Sequence, residues 1–432
     1  MPTRDAPVST MDTRTEDVYA VRGGNPLRGT LRVSGAKNSA LKLMAASILA
    51  DGPVELSNVP AIADVPVMAD IIRGLGADVE IDETFCRLSF AADPDFHAPA
   101  DAVARIRASI SVLGPLVGRV RRARLRLPGG DRIGARSIDL HLRGLMDMGA
   151  SIHESGDEVE VHAEGLHGAV VTLDFPSVGA TENVLMAATL ADGTTTIENA
   201  AREPEIQDLC RMLVSMGARI SGISEPTLHI EGVDRLAGTT WATCPDRIET
   251  GTYAVAAALT GGDVVLEGVR PGDLSLFLTK MRAAGVHVEE GAETLRVKGN
   301  GLTPINVVTL PWPGFPTDLQ PQMMVLLTQA AGESMVTENV FESRFAFVDQ
   351  LLRMGADIRV DGHHALIRGR TALHGATLDG LDVRAGAAGV LAGLAADGET
   401  LVRDIHHVQR GYHDIVGSLR LLGADIEHRA AA

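Results

Sequence analysis

Aromatic side chains are scarce in this chain. Phe, Trp and Tyr make up 3% of its 432 residues, although 45% are hydrophobic. A core built this way must be aliphatic. Cysteine is nearly absent as well. Cys86, Cys210 and Cys244 are far apart and odd in number, with no CxxC pair. That excludes a disulfide framework or a zinc motif and fits a reducing cytoplasm. No uninterrupted apolar run approaches the ~20 residues that a membrane helix needs. Residues 1–17 lack the apolar stretch of a signal peptide and read as a disordered tail. Positive charge is outnumbered: 39 Lys and Arg face 56 Asp and Glu, a formal net charge of −17. A general nucleic-acid or anionic-membrane surface is thereby disfavoured, and local clusters of arginine become informative.

What the chain has in plenty is repetition. "IRGLGADVEI", "LMDMGASIHE", "LVSMGARISG", "KMRAAGVHVE", "LLRMGADIRV" and "LRLLGADIEH" share one pattern. Their glycines (Gly76, Gly149, Gly217, Gly285, Gly355 and Gly423) fall 68 to 73 residues apart. In the first copy Val65, Met68, Ile72 and Leu75 recur at helical spacing. Gly76 then supplies a left-handed C-terminal cap, and Val79 and Ile81 alternate with charged residues as a strand. A second phrase, as in "ADGPVELSNV" and "ADGTTTIENA", sets a glycine turn before an alternating strand. Before each copy runs an Ala/Leu-rich stretch, such as "SALKLMAASILADG", that reads as a buried helix. The predicted class is α/β, of the α+β kind, with helices packed behind sheets; the alternating strands exclude a helical solenoid. Units of ~70 residues are too small to hold a large core individually. Two globular halves of three units, with a cleft between them, form the simplest grouping.

One stretch stands apart. "LPGGDRIGARSIDLH", residues 127 to 141, packs three glycines, two arginines, two aspartates and a histidine into fifteen positions. Asp131 sits at its tip. Together with "SGAKNSALKLMAA", "RASISVLGPLVGR", "DFPSVGATENVLMAA", "ENAAREPEI", "PDRIETGTY", "FPTDLQPQ", "ENVFESRF", "DVRAG" and "QRGY", it resembles the UDP-N-acetylglucosamine 1-carboxyvinyltransferases of the enolpyruvyl transferase family. The match runs from about residue 18 to 428 with the motifs in order. It implies a two-domain inside-out α/β barrel of six βαβαββ-type units, three per domain, with the active site in the interdomain cleft. One domain would be continuous, residues 36–244, carrying a mobile loop at about 125–137. The other would join residues 18–35 to 245–432.

The resemblance implies enolpyruvyl transfer from phosphoenolpyruvate to the 3-hydroxyl of UDP-N-acetylglucosamine, with release of phosphate, by addition and elimination through a tetrahedral intermediate. This is the first committed step of peptidoglycan precursor synthesis. Such chemistry needs cations for a phosphate and a carboxylate, an acid for the enol carbon and a base for the hydroxyl. Lys37 reads as a helix start, where backbone N–H groups also favour anions. Arg136, Arg384 and Arg410 each lie close to a glycine, and the planar guanidinium suits phosphate and carboxylate oxygens. By resemblance, Lys37, Asn38, Arg136, Arg384 and Arg410 hold phosphoenolpyruvate, with Lys37 and Arg410 also catalytic. Asp318 is either a helix cap or the base for the sugar hydroxyl; the resemblance gives it the second role. The sugar nucleotide falls to Arg107, Arg136, Ser137, Ile138, Asp139, Leu140, Ser177, Val178, Gly179, Asp318, Val340, Phe341 and Arg344.

Asp131 departs from the family pattern. Most members carry a cysteine there, which donates a proton and is the residue alkylated by the epoxide antibiotic fosfomycin. An aspartic acid can fill the acid role only if protonated, and an ordinary one titrates near ~3.9. Burial and a neighbouring ligand phosphate would raise that value. A carboxylate is also a far weaker nucleophile than a thiolate, so insensitivity to fosfomycin is expected. His141 reads as a structural histidine. "DGHH" at 361–364 and "HH" at 406–407 lack a spaced set of further ligands and read as surface loops, and the resemblance implies neither a metal nor another cofactor. Two other readings stay open: a paralogue acting on another uridine nucleotide in specialised metabolism, and a noncatalytic UDP-sugar sensor.

Overall fold

The computed structural model describes residues 17–129, 133–134 and 137–430. Residues 1–16 of the expected tail, and Asp131 and Arg136 of the glycine-rich stretch, lie outside the described residues. The expected helix–strand–helix–hairpin order recurs along the chain. Each unit contains one helix buried on nearly all sides: α1 (Lys37–Ala46), α2 (Leu113–Val120), α3 (Val178–Ala188), α4 (Arg247–Leu259), α5 (Gln320–Thr328) and α6 (Val383–Ala395). A small residue permits this where α2 meets α3. A Cβ on Gly114 of α2 would sit 2.2 Å from the Asn183 carbonyl oxygen of α3, so the two helices meet backbone to backbone. The second helix of each unit is amphipathic. In the first unit, Asp64–Gly74 buries Val65, Met68 and Ile72, and the following strand Ala77–Asp82 buries Val79. The six glycines that end these helices all take φ between 89° and 110°, a region side chains resist.

Among the described residues the strands form six small mixed sheets, five of four strands and one of three. In the three-stranded sheet residues 96–98 stand in for the missing strand. There Arg124 N donates to Phe96 O at 2.7 Å and Ala98 N donates to Arg124 O at 2.9 Å. Two sheets exchange a strand. Arg28–Arg32, just before α1, pairs in parallel with the distant strand Asp263–Glu267. Thr239–Ala242, just before α4, pairs in parallel with Val54–Ser57. The N-terminal strand Val18–Arg22 completes the last sheet, between Glu399–Arg403 and Asp425–Arg429.

Two apolar cores result. One is drawn from residues between Ala40 and Leu236. The other combines residues between Tyr19 and Val33 with residues between Ile248 and Ile426. Helices fill both cores while the sheets keep one face outward, as the alternating burial of strands such as Glu158–His162 records. The three cysteines are buried and unpaired. No helix of the described residues is long and apolar enough to cross a membrane.

Candidate active site

A cleft of about 540 Å³ is lined by residues of both cores. It gathers most of the residues singled out from the sequence: Lys37, Asn38, Arg107, Ser137, Asp139, Leu140, Ser177, Val178, Gly179, Asp318, Val340, Phe341, Arg344, Arg384 and Arg410. Ile138 is the exception, because its side chain packs into the first core instead. Asp131 and Arg136 lie outside the described residues.

Lys37 opens α1, as its place in the sequence predicts. Its Nζ lies 2.8 Å from Asp64 Oδ2, and Arg410 Nε lies 2.8 Å from Asp64 Oδ1. Asp64 is the first residue of its helix and is 2% exposed. Burial lowers the Lys37 pKa; Asp64 opposes that, while Arg384 and Arg410 add to it. Buried charges need partners, and here one carboxylate serves two cations. An anionic ligand would compete with Asp64 for both.

Asp318 sits in a short 3-10 turn, Thr317–Leu319, ahead of α5. It does not cap that helix. Its Oδ1 meets Arg344 Nη2 at 3.0 Å and its Oδ2 meets Arg384 Nη2 at 3.0 Å. Burial opposes its charge, but Arg384 and Arg344 outweigh that and hold its carboxyl well below the usual carboxylate range. A quarter of the side chain remains exposed, 25%, so the cleft reaches it. Arg344 Nε and Arg384 Nη1 are buried without a partner among the described residues. They are spare donors for an anion. Asp382 caps α6, its Oδ1 accepting from Arg384 N at 2.7 Å and Ala385 N at 3.1 Å, which fixes where Arg384 starts.

The opposite wall is built on α3. Ser177 caps it, its hydroxyl accepting from Ala180 N at 3.3 Å, so the first-turn amides of Val178 and Gly179 lie at the positive end of a helix. The glycine-rich stretch is held near its start, at Pro128, and near its middle, at Ile133. Arg107 Nη1 donates to Pro128 O at 3.4 Å, and Ser343 N donates to Ile133 O at 3.2 Å from the second core. Asp139 is exposed at the start of a helix, and a hydrogen bond from Ser137 lowers its pKa. His141 lines the cleft and is buried. Asn183 Nδ2 donates to its Nδ1 at 2.9 Å, and burial pushes its pKa down to about 4.

Several site residues gave no sequence signal. Asp64 lies in an ordinary helix start. Glu338 accepts from Thr317 Oγ1 at 3.0 Å and from the amides of Val340 and Phe341 at 2.8 and 3.1 Å, so it ties together two segments of the cleft. Lys42 and Glu182, both lining the cleft, pair at 2.6 Å, and burial pushes the Glu182 carboxyl up to about 7 despite Lys42. Trp312 also faces the cleft, its amide donating to Glu203 Oε1 at 3.2 Å. Among the described residues no group of three or more His, Cys, Asp and Glu could hold a metal ion. His363 and His364 are exposed at a hairpin. The arrangement supplies cations on two sides, the N-terminus of α3, and the Asp318 carboxylate held ionised.

Residues 21–419 match the family profile described as EPSP synthase (3-phosphoshikimate 1-carboxyvinyltransferase). The chain is 51% identical over 413 residues to the UDP-N-acetylglucosamine 1-carboxyvinyltransferase of Corynebacterium jeikeium strain K411, covering 95% of this chain and 99% of that one. Among solved structures it is similar to the enolpyruvyl transferase NikO from Streptomyces tendae, with a TM-score of 0.88, 29% identity, and 96% and 100% of the two chains covered. EPSP synthase from Acinetobacter baumannii shares the fold, with a TM-score of 0.74 at 18% identity, over 96% of this chain and 100% of that one.

Proposed function

The chain belongs to the UDP-N-acetylglucosamine 1-carboxyvinyltransferase family, and from that premise we propose that it transfers the enolpyruvyl group of phosphoenolpyruvate to the 3-hydroxyl of UDP-N-acetylglucosamine. Phosphate is released, and the product feeds peptidoglycan synthesis in the cytoplasm. One observation carries the reading: the Asp318 carboxylate opens onto the same cleft as the Lys37–Asp64–Arg410 cluster, with an arginine on each of its oxygens.

Phosphoenolpyruvate would bring a phosphate and a carboxylate to Lys37, Asn38, Arg136, Arg384 and Arg410. These anions compete with Asp64 and Asp318 for the same cations. Each guanidinium drawn away from Asp318 raises its proton affinity toward the ordinary ~3.9, at the moment a base is needed. The sugar oxygen then bonds to the central enol carbon as its proton passes to Asp318, while Asp131 gives a proton to the methylene carbon. In the elimination the Asp131 carboxylate takes back a proton from the methyl group while phosphate leaves with the C–O bonding pair and the proton held by Asp318, which restores the double bond, now on the sugar ether. The UDP-sugar would lie along Arg107, residues 136–140, residues 177–179, Val340, Phe341 and Arg344.

The two cores are read as two domains in an inside-out α/β arrangement of three units each, residues 36–244 and residues 18–35 with 245–432. The acceptor is read as UDP-N-acetylglucosamine because relatives half identical to the chain carry that name, against 29% identity to NikO. Aspartate at position 131 supports insensitivity to fosfomycin, since a carboxylate is a poor nucleophile toward an epoxide.

Incubation with both substrates should give a UDP-sugar heavier by one enolpyruvyl group and one phosphate per product. Product only with a different uridine nucleotide would instead support the paralogue. Tight UDP-sugar binding with no product from any acceptor would support the sensor.

A further inference from the structure

Two passages of chain join the cores, and they run antiparallel. Ala36 N donates to Cys244 O at 2.7 Å, and Asp246 N donates to Ser34 O at 2.9 Å. From the first core, Asn58 Nδ2 donates to Thr243 O at 2.9 Å. The carbonyl of Asn58 lies so close to Gly35 that a Cβ there would sit 1.7 Å away.

From the second core, the start of α4 grips the same ribbon with two carboxylates. Glu249 Oε2 accepts from the Ser34 amide at 3.0 Å and also from the Ser34 hydroxyl. Asp246 caps α4 through Oδ1, accepting from Ile248 N at 2.7 Å and Glu249 N at 2.9 Å. Its Oδ2 accepts from the Lys37 amide at 3.1 Å. Both carboxylates are buried, and burial raises both pKa values, Glu249 to about 7. Two acids buried three residues apart are poor evidence for stability in themselves and better evidence for a geometry that they fix.

That geometry ends on Lys37. Its side chain reaches Asp64 in the first core, while its backbone amide is held from the second. The placement of its ammonium therefore depends on both cores at once. We propose that Glu249 and Asp246 are positioning residues: by holding the backbone of residues 34–37 from the second core, they set where Lys37 presents its ammonium to Asp64 and to the anionic substrate. The inference rests on the proposed function in taking that substrate to be phosphoenolpyruvate.

The test uses the full chain with Ser34→Ala, which removes only the hydroxyl bond, Glu249→Gln, which keeps the shape but not the charge, and Ser34→Thr as the conservative control. Loss of one buried hydrogen bond to a carboxylate corresponds to about tenfold or more. Amides 34–37 should exchange with deuterium about tenfold faster in Ser34→Ala and Glu249→Gln, while α2 and α6 exchange as in the parent. The KM for phosphoenolpyruvate should rise by a similar factor with UDP-sugar affinity unchanged, and Ser34→Thr should restore both. Unchanged exchange at 34–37 would overturn the proposal. So would faster exchange throughout, which marks a merely structural role, or local loosening with an unaltered KM. If the parent shows no turnover, the reaction reading fails by itself. Affinity for inorganic phosphate, measured by calorimetry, then takes the place of KM and decides the clamp.

Discussion

Arg410 reaches across 346 residues of sequence to Asp64, with Nε 2.8 Å from Oδ1, and Lys37 takes the other oxygen of the same carboxylate. Two cations that the proposed reaction assigns to phosphoenolpyruvate are thus held by one buried acid. Removing Asp64 takes away the buried counter-charge of Lys37, and breaking a buried pair in this way typically costs ~3–5 kcal/mol. Asp64→Asn should therefore lower the melting temperature well below that of the parent. Inorganic phosphate should restore more of the loss in the variant than it adds to the parent, because an anion replaces the missing charge. Melting curves with and without phosphate check this; an unaltered melting temperature would contradict it.

Asp318 is predicted to matter for turnover far more than for binding. Asp318→Asn should reduce phosphate release by about 10²–10⁴-fold, the range for loss of a general base. UDP-N-acetylglucosamine affinity, measured by calorimetry, should stay within a few-fold.

His141 gives a pH dependence of stability with a definite sign. Its pKa falls from an ordinary ~6.5 in the unfolded chain to about 4 in the fold, so the unfolded chain binds the proton first. The associated stability is fully present above pH ~6.5 and is lost as pH falls through 4. The gap corresponds to about 3 kcal/mol at the acid end. His141→Gln, which can still accept from Asn183, should lack this share. Urea midpoints of parent and variant should converge between pH 7 and 4 relative to their separation at neutral pH; parallel curves would contradict the assignment.

The repeat was legible because it is written in local chemistry. Gly76, Gly149, Gly217, Gly285, Gly355 and Gly423 all adopt the positive φ that their place after a helical pattern implies. Lys37 begins a helix as read. The exchange of strands was not legible: nothing local in "RGTLR" says that it pairs with residues 263–267, since periodicity reports which face is buried but not against what. For the same reason Asp64, Glu338 and the Lys42–Glu182 pair carry no signature in the sequence. Their roles come from partners far away in sequence. Asp318 showed the opposite pattern. Its local context suggested a cap, and only the fold brought two arginines to its oxygens.

Asp131 supplies a prediction from chemistry alone. Asp131→Cys should be inactivated by fosfomycin, with the label on residue 131 by mass spectrometry, while the parent should stay active and unlabelled, because a thiolate attacks an epoxide far faster than a carboxylate does. Activity of the variant before treatment should persist, since a thiol can also donate the proton.

The most direct measurement is the time course of phosphate release from phosphoenolpyruvate, with UDP-N-acetylglucosamine as acceptor and excess fosfomycin present. Steady release that requires the acceptor and continues through many turnovers is the predicted result. Release no faster than in the acceptor-free control, from protein that demonstrably binds the UDP-sugar, would contradict it.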